Sequence, residues 1–245
     1  MNTHQQTTPL HYAVAGSGPL VVLLHGLLMD GNSWVNNGLV DALSSHFTLV
    51  CPDLPGHGKS AKVASSACDG HSQADAIRDL IDELGFNQAH IVGYSSGAWL
   101  AIELLKHHPE RLSSLVIGGW DVQNGLPEGP QGRLDFDAFF AFAQATAPAL
   151  THWVTQERLP TLRASFDALA GYQGQQDAPR VSATAIPKMF WAGEEDIYYS
   201  PLKGWAEHHH LPFYSATGDH VSAILNPAAD LCQVIGEFLK KTASD

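Results

Sequence analysis

Apolar and polar positions alternate in two textures along this chain. Leu20–Leu24 is a continuous apolar run, the pattern of a strand buried on both faces of a parallel sheet. Phe47–Cys51, His90-Ile91-Val92, Leu112–Gly118, Lys188–Ala192 and the short Phe213–Ser215 read the same way. Leu10–Ala15 alternates weakly and suits an edge strand, turned by Gly16-Ser17-Gly18-Pro19. Between the runs lie helical stretches. Trp34–Leu43 is one, and the segment from Ala98 is another. Gln73–Leu84 carries Ala76, Ile77, Leu80, Ile81 and Leu84 at helical spacing, and Ala228–Lys241 forms an amphipathic helix. Strands alternating with helices predict an α/β fold, a doubly wound, mostly parallel sheet.

Residues 122–184 break the rhythm. They hold no clear buried strand and several helical candidates, notably Asp135–Ala145 and Leu159–Ala170. The expected organisation is a core of residues 1–121 and 185–245 with a helical insertion over 122–184. The sequence has no internal repeat and no low-complexity tract.

Composition narrows the function. The 245 residues suffice for one large domain, and 44% hydrophobic with 16% charged residues is globular, not disordered. A formal charge of −12 argues against nucleic acid and anionic membrane surfaces as partners. Cys51, Cys68 and Cys232 are odd in number and lack C-x-x-C spacing, which argues against a disulfide framework or a zinc site. Met1–Pro9 is polar without an apolar signal core, and no apolar run reaches membrane-spanning length. A soluble, cytoplasmic protein is the expectation. Oligomeric state is not readable.

The chemistry centres on Gly93-Tyr94-Ser95-Ser96-Gly97, set between an apolar strand and a helix. Such a turn exposes a serine, and its glycines permit strained dihedrals and close strand–helix passage. The helix N-terminus behind Ser95 offers free N–H groups to a developing anion. A serine hydroxyl needs a base, and a histidine base needs a carboxylate to fix its tautomer. Ser95, Asp196 and His220 supply these in the chain order Ser…Asp…His, each after a predicted strand. In open parallel sheets ligands bind at those strand ends. Asp121, at the end of the preceding strand, is the alternative acid, and Glu194 and Glu195 adjoin Asp196.

Several further groups carry two readings. Consecutive His208-His209-His210 point in different directions from one helix, which disfavours a metal site. Phe136, Phe139, Phe140 and Phe142 read as core of the insertion before pocket lining, and Cys51 as a buried strand cysteine. Tyr94 is undecided. Lys240-Lys241 is a solvated helix end.

The sequence resembles the α/β-hydrolase superfamily over nearly its whole length. The resemblance rests on His25-Gly26 after the first buried strand, Asp53-Leu54-Pro55-Gly56-His57-Gly58-Lys59-Ser60, the Gly-x-Ser-x-Gly turn, His108-Pro109-Glu110-Arg111, Gly193-x-x-Asp196 and Gly218-x-His220, in that order. Small single-cap carboxylesterases are the nearest in flavour, and Leu43-Ser44-Ser45-His46-Phe47 is similar to a stretch of carrier-protein methyl ester hydrolases. The resemblance implies Ser95 as nucleophile, His220 as general base and acid, and Asp196 as orienting carboxylate. It also implies an oxyanion hole of the Leu27 and Ser96 backbone N–H groups, no cofactor and no metal. His25 becomes a loop-shaping residue, His57 and Asp53 loop braces, and 122–184 the cap. Departures are Ser96, Ala98 and Asp219, the last placing a negative charge beside His220 and so predicting a raised pKa there.

The expected activity is cleavage of a small, mainly apolar carboxylic ester through an acyl-enzyme. Relatives use the same groups for C–C bond hydrolysis, hydroxynitrile cleavage, perhydrolysis or cofactor-free oxygenation, and a non-catalytic small-molecule receptor is a third possibility.

Overall fold

The computed structural model describes residues 10–60, 63–129, 132–227 and 229–243. The polar Met1–Pro9 and the expected helix start at Ala228 lie outside them. In chain order the first half holds β1 (Tyr12–Gly16), β2 (Leu20–Leu24), α1 (Asn32–Asn36), α2 (Leu39–Leu43), β3 (Thr48–Pro52), α3 (Gly70–Glu83), β4 (Ala89–Tyr94), α4 (Ser96–His107) and β5 (Leu112–Gly118). The middle holds a minimal pair, β6 (Glu128–Gly129) and β7 (Gly132–Arg133), then α5 (Phe136–Thr146), α6 (Pro148–Thr151), α7 (Leu159–Ala170) and α8 (Gly174–Ala183). The last part is β8 (Lys188–Gly193), α9 (Tyr199–His208), β9 (Phe213–Ala216), α10 (Ser222–Leu225) and α11 (Ala229–Thr242).

Seven strands form one sheet in the order β1-β3-β2-β4-β5-β8-β9. Only β1 runs antiparallel, against β3. The doubly wound, mostly parallel α/β reading therefore holds. Alternate strand residues feed two cores. Leu20, Val22 and Leu24 pack with α3, α4 and α9, while Val21 and Leu23 pack with α1, α2 and α11. After β2 the chain adds β3 on one side and later β4 on the other, so a switch point opens between the carboxyl ends of β2 and β4.

The helix expected over Trp34–Leu43 is two short helices. Gly38, at φ 85, breaks them, a conformation that glycine adopts without a steric penalty. Residues 122–184 are mainly helical, as expected, with α8 and the β6–β7 pair in addition. Phe136 is buried and packs on Phe140 and Phe166, whereas Phe142 is 65% exposed. Phe136 and Phe139 thus face α7, Phe140 stacks on Phe136, and Phe142 faces outward.

Candidate active site

Ser95 follows β4 directly and precedes α4. Its φ of 55 and ψ of −118 are strained for a residue with a Cβ, and its amide is anchored on the Gly118 carbonyl at 2.8 Å. The flanking glycines make the turn feasible. A Cβ on Gly93 would collide with the Gly97 backbone, and one on Gly97 with the Leu24 and His25 carbonyls. The hydroxyl is left at the strand ends with α4 opening behind it.

Two later strand ends complete the arrangement. His220, after β9, places Nε2 3.0 Å from Ser95 Oγ. Its Nδ1 lies 2.8 Å from Asp196 Oδ2, on the turn after β8. The Asp196 side chain is fully buried, and its other oxygen accepts from the Tyr198 amide at 3.0 Å. Asp121 is occupied elsewhere. Its carboxylate accepts from the Gln123 and Asn124 amides and from the Asn124 side chain, closing its own turn. Among the described residues Asp196, not Asp121, meets the imidazole.

Tyr94 finds its place here. Its ring lies between Trp191 and His220, with centroids 4.8 and 5.1 Å away. Its hydroxyl donates to the His220 carbonyl at 2.7 Å and lies 3.3 Å from Asp196 Oδ2. Burial pushes the phenol well above its ordinary value, so it remains a donor. Asp219 caps the next turn. Its Oδ1 accepts from the Val221 and Ser222 amides and the Ser222 hydroxyl, and the Ser222 amide leads in holding the carboxyl below its usual range.

The loop after β2 faces Ser95 across the switch point. His25 Nδ1 donates to the Gly26 carbonyl and its Nε2 accepts from the Leu54 amide. His57 Nδ1 donates to the Pro55 carbonyl and its Nε2 accepts from the Leu28 amide. Both are therefore neutral braces. Desolvation lowers both, His57 to about 3. Asp53 ties the Gly31 and Lys59 amides together. The amides of Leu27 and Ser96 meet no acceptor among the described residues. Cys51 is buried and desolvation raises its thiol to about 12, so it stays protonated. The His208–His210 run ends α9, and the described residues hold no group of three side chains able to bind a metal.

Cavities of about 650 and 510 Å³ border Tyr198 and Trp153 respectively. The first is lined by Asp121, Tyr172 and Tyr198, the second by Asp53, Trp153 and Arg158; neither includes Ser95 or His220. No helix among the described residues is long and apolar enough to cross a membrane.

A parallel sheet with a serine on a strained strand-to-helix turn, facing an imidazole and a buried carboxylate from later strand ends, defines a class of hydrolase-like sites. The chain matches the family model for the alpha/beta hydrolase fold over residues 19–210, and it belongs to that family. It is 32% identical over 112 residues to a 2-hydroxy-6-oxo-6-phenylhexa-2,4-dienoate hydrolase from Comamonas testosteroni, covering 45% of this chain and 39% of that one. It is 35% identical over 210 residues to a dihydrolipoyllysine-residue acetyltransferase component of an acetoin cleaving system from Cupriavidus necator, covering 77% and 55%. The chain thus spans well under two thirds of these curated relatives' own length. Its fold is similar to an enol-lactonase from Burkholderia xenovorans LB400, with TM-score 0.73, 18% identity and 96% coverage of both chains. It is also similar to a thermophilic esterase from Thermogutta terrifontis, with TM-score 0.71, 20% identity and coverage of 96% and 94%.

Proposed function

We propose that this chain is a serine hydrolase that cleaves a small, mainly apolar carboxylic ester. The observation that carries the reading is the unbroken hydrogen-bonded line Ser95 Oγ–His220–Asp196 Oδ2, at 3.0 and 2.8 Å. His220 Nε2 takes the hydroxyl proton as Ser95 Oγ attacks the carbonyl carbon. Asp196 holds Nδ1–H and stabilises the imidazolium. The Leu27 and Ser96 amides receive the oxyanion, each worth about 3–4 kcal/mol at the transition state. The imidazolium then protonates the departing alkoxide. Water, deprotonated by His220, splits the acyl-enzyme and releases the acid. Residues 122–184 serve as the cap over this centre. Three buried or half-buried phenylalanines on α5 make up the apolar interior of that cap.

Replacing Ser95 by Ala is expected to lower kcat on p-nitrophenyl butyrate by about 10³- to 10⁶-fold with the fold retained. A fluorophosphonate is expected to label Ser95. An unchanged rate in the variant, or no labelling of the wild type, overturns the assignment.

The second reading is hydrolysis of a C–C bond in a β-diketone-like substrate by the same groups. The similarity to a 2-hydroxy-6-oxo-6-phenylhexa-2,4-dienoate hydrolase favours it. A panel of neutral esters against a 2-hydroxy-6-oxo-dienoate separates the two by kcat/KM.

A further inference from the structure

The loop that offers the Leu27 amide is held at several points, and one tie comes from the helical segment between β5 and β8. Peptide 26–27 is held by its carbonyl, which accepts from His25 Nδ1 at 2.8 Å and from the Met29 amide at 3.1 Å. Peptide 27–28 is held by its N–H, which donates to His57 Nε2 at 3.1 Å. The Leu28 carbonyl, in peptide 28–29, accepts from the indole N–H of Trp153 at 3.2 Å. Trp153 follows α6 and is 125 positions away in sequence.

Leu28 needs such a tie. Its φ is 66, in the left-handed region that a side chain disfavours. The indole is itself held. Arg158 lies over its ring at 5.1 Å and donates to the Gly58 carbonyl at 2.9 Å, and the His57 ring lies tilted against the indole with centroids 5.9 Å apart. The same residue therefore braces both the strained carbonyl and the imidazole that takes the Leu28 N–H.

We infer that Trp153 is a positioning residue for the oxyanion hole. Its N–H keeps Leu28 left-handed, and so keeps the Leu27 amide aimed at the oxygen above Ser95. This rests on the reading of Ser95 as nucleophile and Leu27 as donor. A residue that only covers the substrate would act on binding; this one acts on the charge that forms during attack.

The test compares the wild type with Trp153→Phe and with Trp153 replaced by 3-benzothienylalanine. The latter keeps the bicyclic shape and lacks the N–H, so it addresses the tie even if the phenylalanine variant does not fold. Expected is a kcat for p-nitrophenyl butyrate lower by on the order of tenfold, with KM within about twofold. Inhibition by a trifluoromethyl ketone, whose adduct carries the oxyanion, weakens in parallel. Fluorophosphonate labelling of the wild-type serine and loss of activity in Ser95→Ala are checked first, because their failure would remove the underlying reading. If those hold and the benzothienylalanine variant keeps wild-type kcat and trifluoromethyl ketone affinity, the inference alone fails. A raised KM at unchanged kcat also overturns it, by making Trp153 a substrate contact.

Discussion

His57 is 2% exposed and bonded to the Pro55 carbonyl and the Leu28 amide, and the loop depends on its staying neutral. Desolvation pushes it down to about 3, and the same cause pushes His90, on the Ser114 hydroxyl, down to about 4. The ordinary imidazole value is 6.5. With folded values depressed, the unfolded chain takes up protons first as pH falls. Stability from these two groups is complete above pH 6.5 and is lost on acidification toward their folded values. The slope approaches about 1.4 kcal/mol per pH unit for each imidazole. Urea midpoints measured from pH 7 to 5 are expected to fall steadily below the ordinary imidazole value. A flat midpoint across that interval would contradict the buried, neutral assignment. Residues that follow an apolar run were readable in the sequence, because a strand end fixes where its next side chains gather. Ser95, Asp196 and His220 belong to that set. The Tyr94 hydroxyl and the Trp153 indole do not. Their partners, the carbonyls of His220 and Leu28, lie 126 and 125 positions away, and no spacing announces a bond to a backbone atom.

At the scale of elements, two glycines in helices have opposite meanings. Gly97 opens α4 with its Cα against the Leu24 and His25 carbonyls, which are backbone and cannot yield. Gly97→Ala is expected to cost about 2 kcal/mol or more and to lower activity with it, read from a urea midpoint and the ester assay. Gly204 sits inside α9 with nothing within 4 Å of a built Cβ. Gly204→Ala should add about 0.5–1 kcal/mol, raising Tm by about 1–4 °C; a lower Tm would mean the space is not free. The same residues explain what the sequence concealed. Gly204 dilutes the helical signal of α9, and Pro179 interrupts that of α8. Gly38 divides one expected helix into two, since apolar spacing continues across a break that only φ records. The apolar strands were legible because a segment covered on both faces has little choice of composition.

For the whole molecule, the excess of 25 acidic over 13 basic side chains sets a net field of −12. An ester bearing a carboxylate should be repelled at low salt, and its kcat/KM is expected to rise several-fold between about 10 and 200 mM salt while that of a neutral ester stays level. Equal responses would place the approach path outside that field. The order of parts along the chain carries a further meaning. Ser95 is translated 125 residues before His220, with two strands of the main sheet still to be added at its edge after β5. A ribosome that has just finished the Gly93–Gly97 turn therefore carries the Ser95 hydroxyl without its imidazole partner. On the proposed reading, the nucleophile is made well before its base, and the pair meets only once β8 and β9 join the sheet.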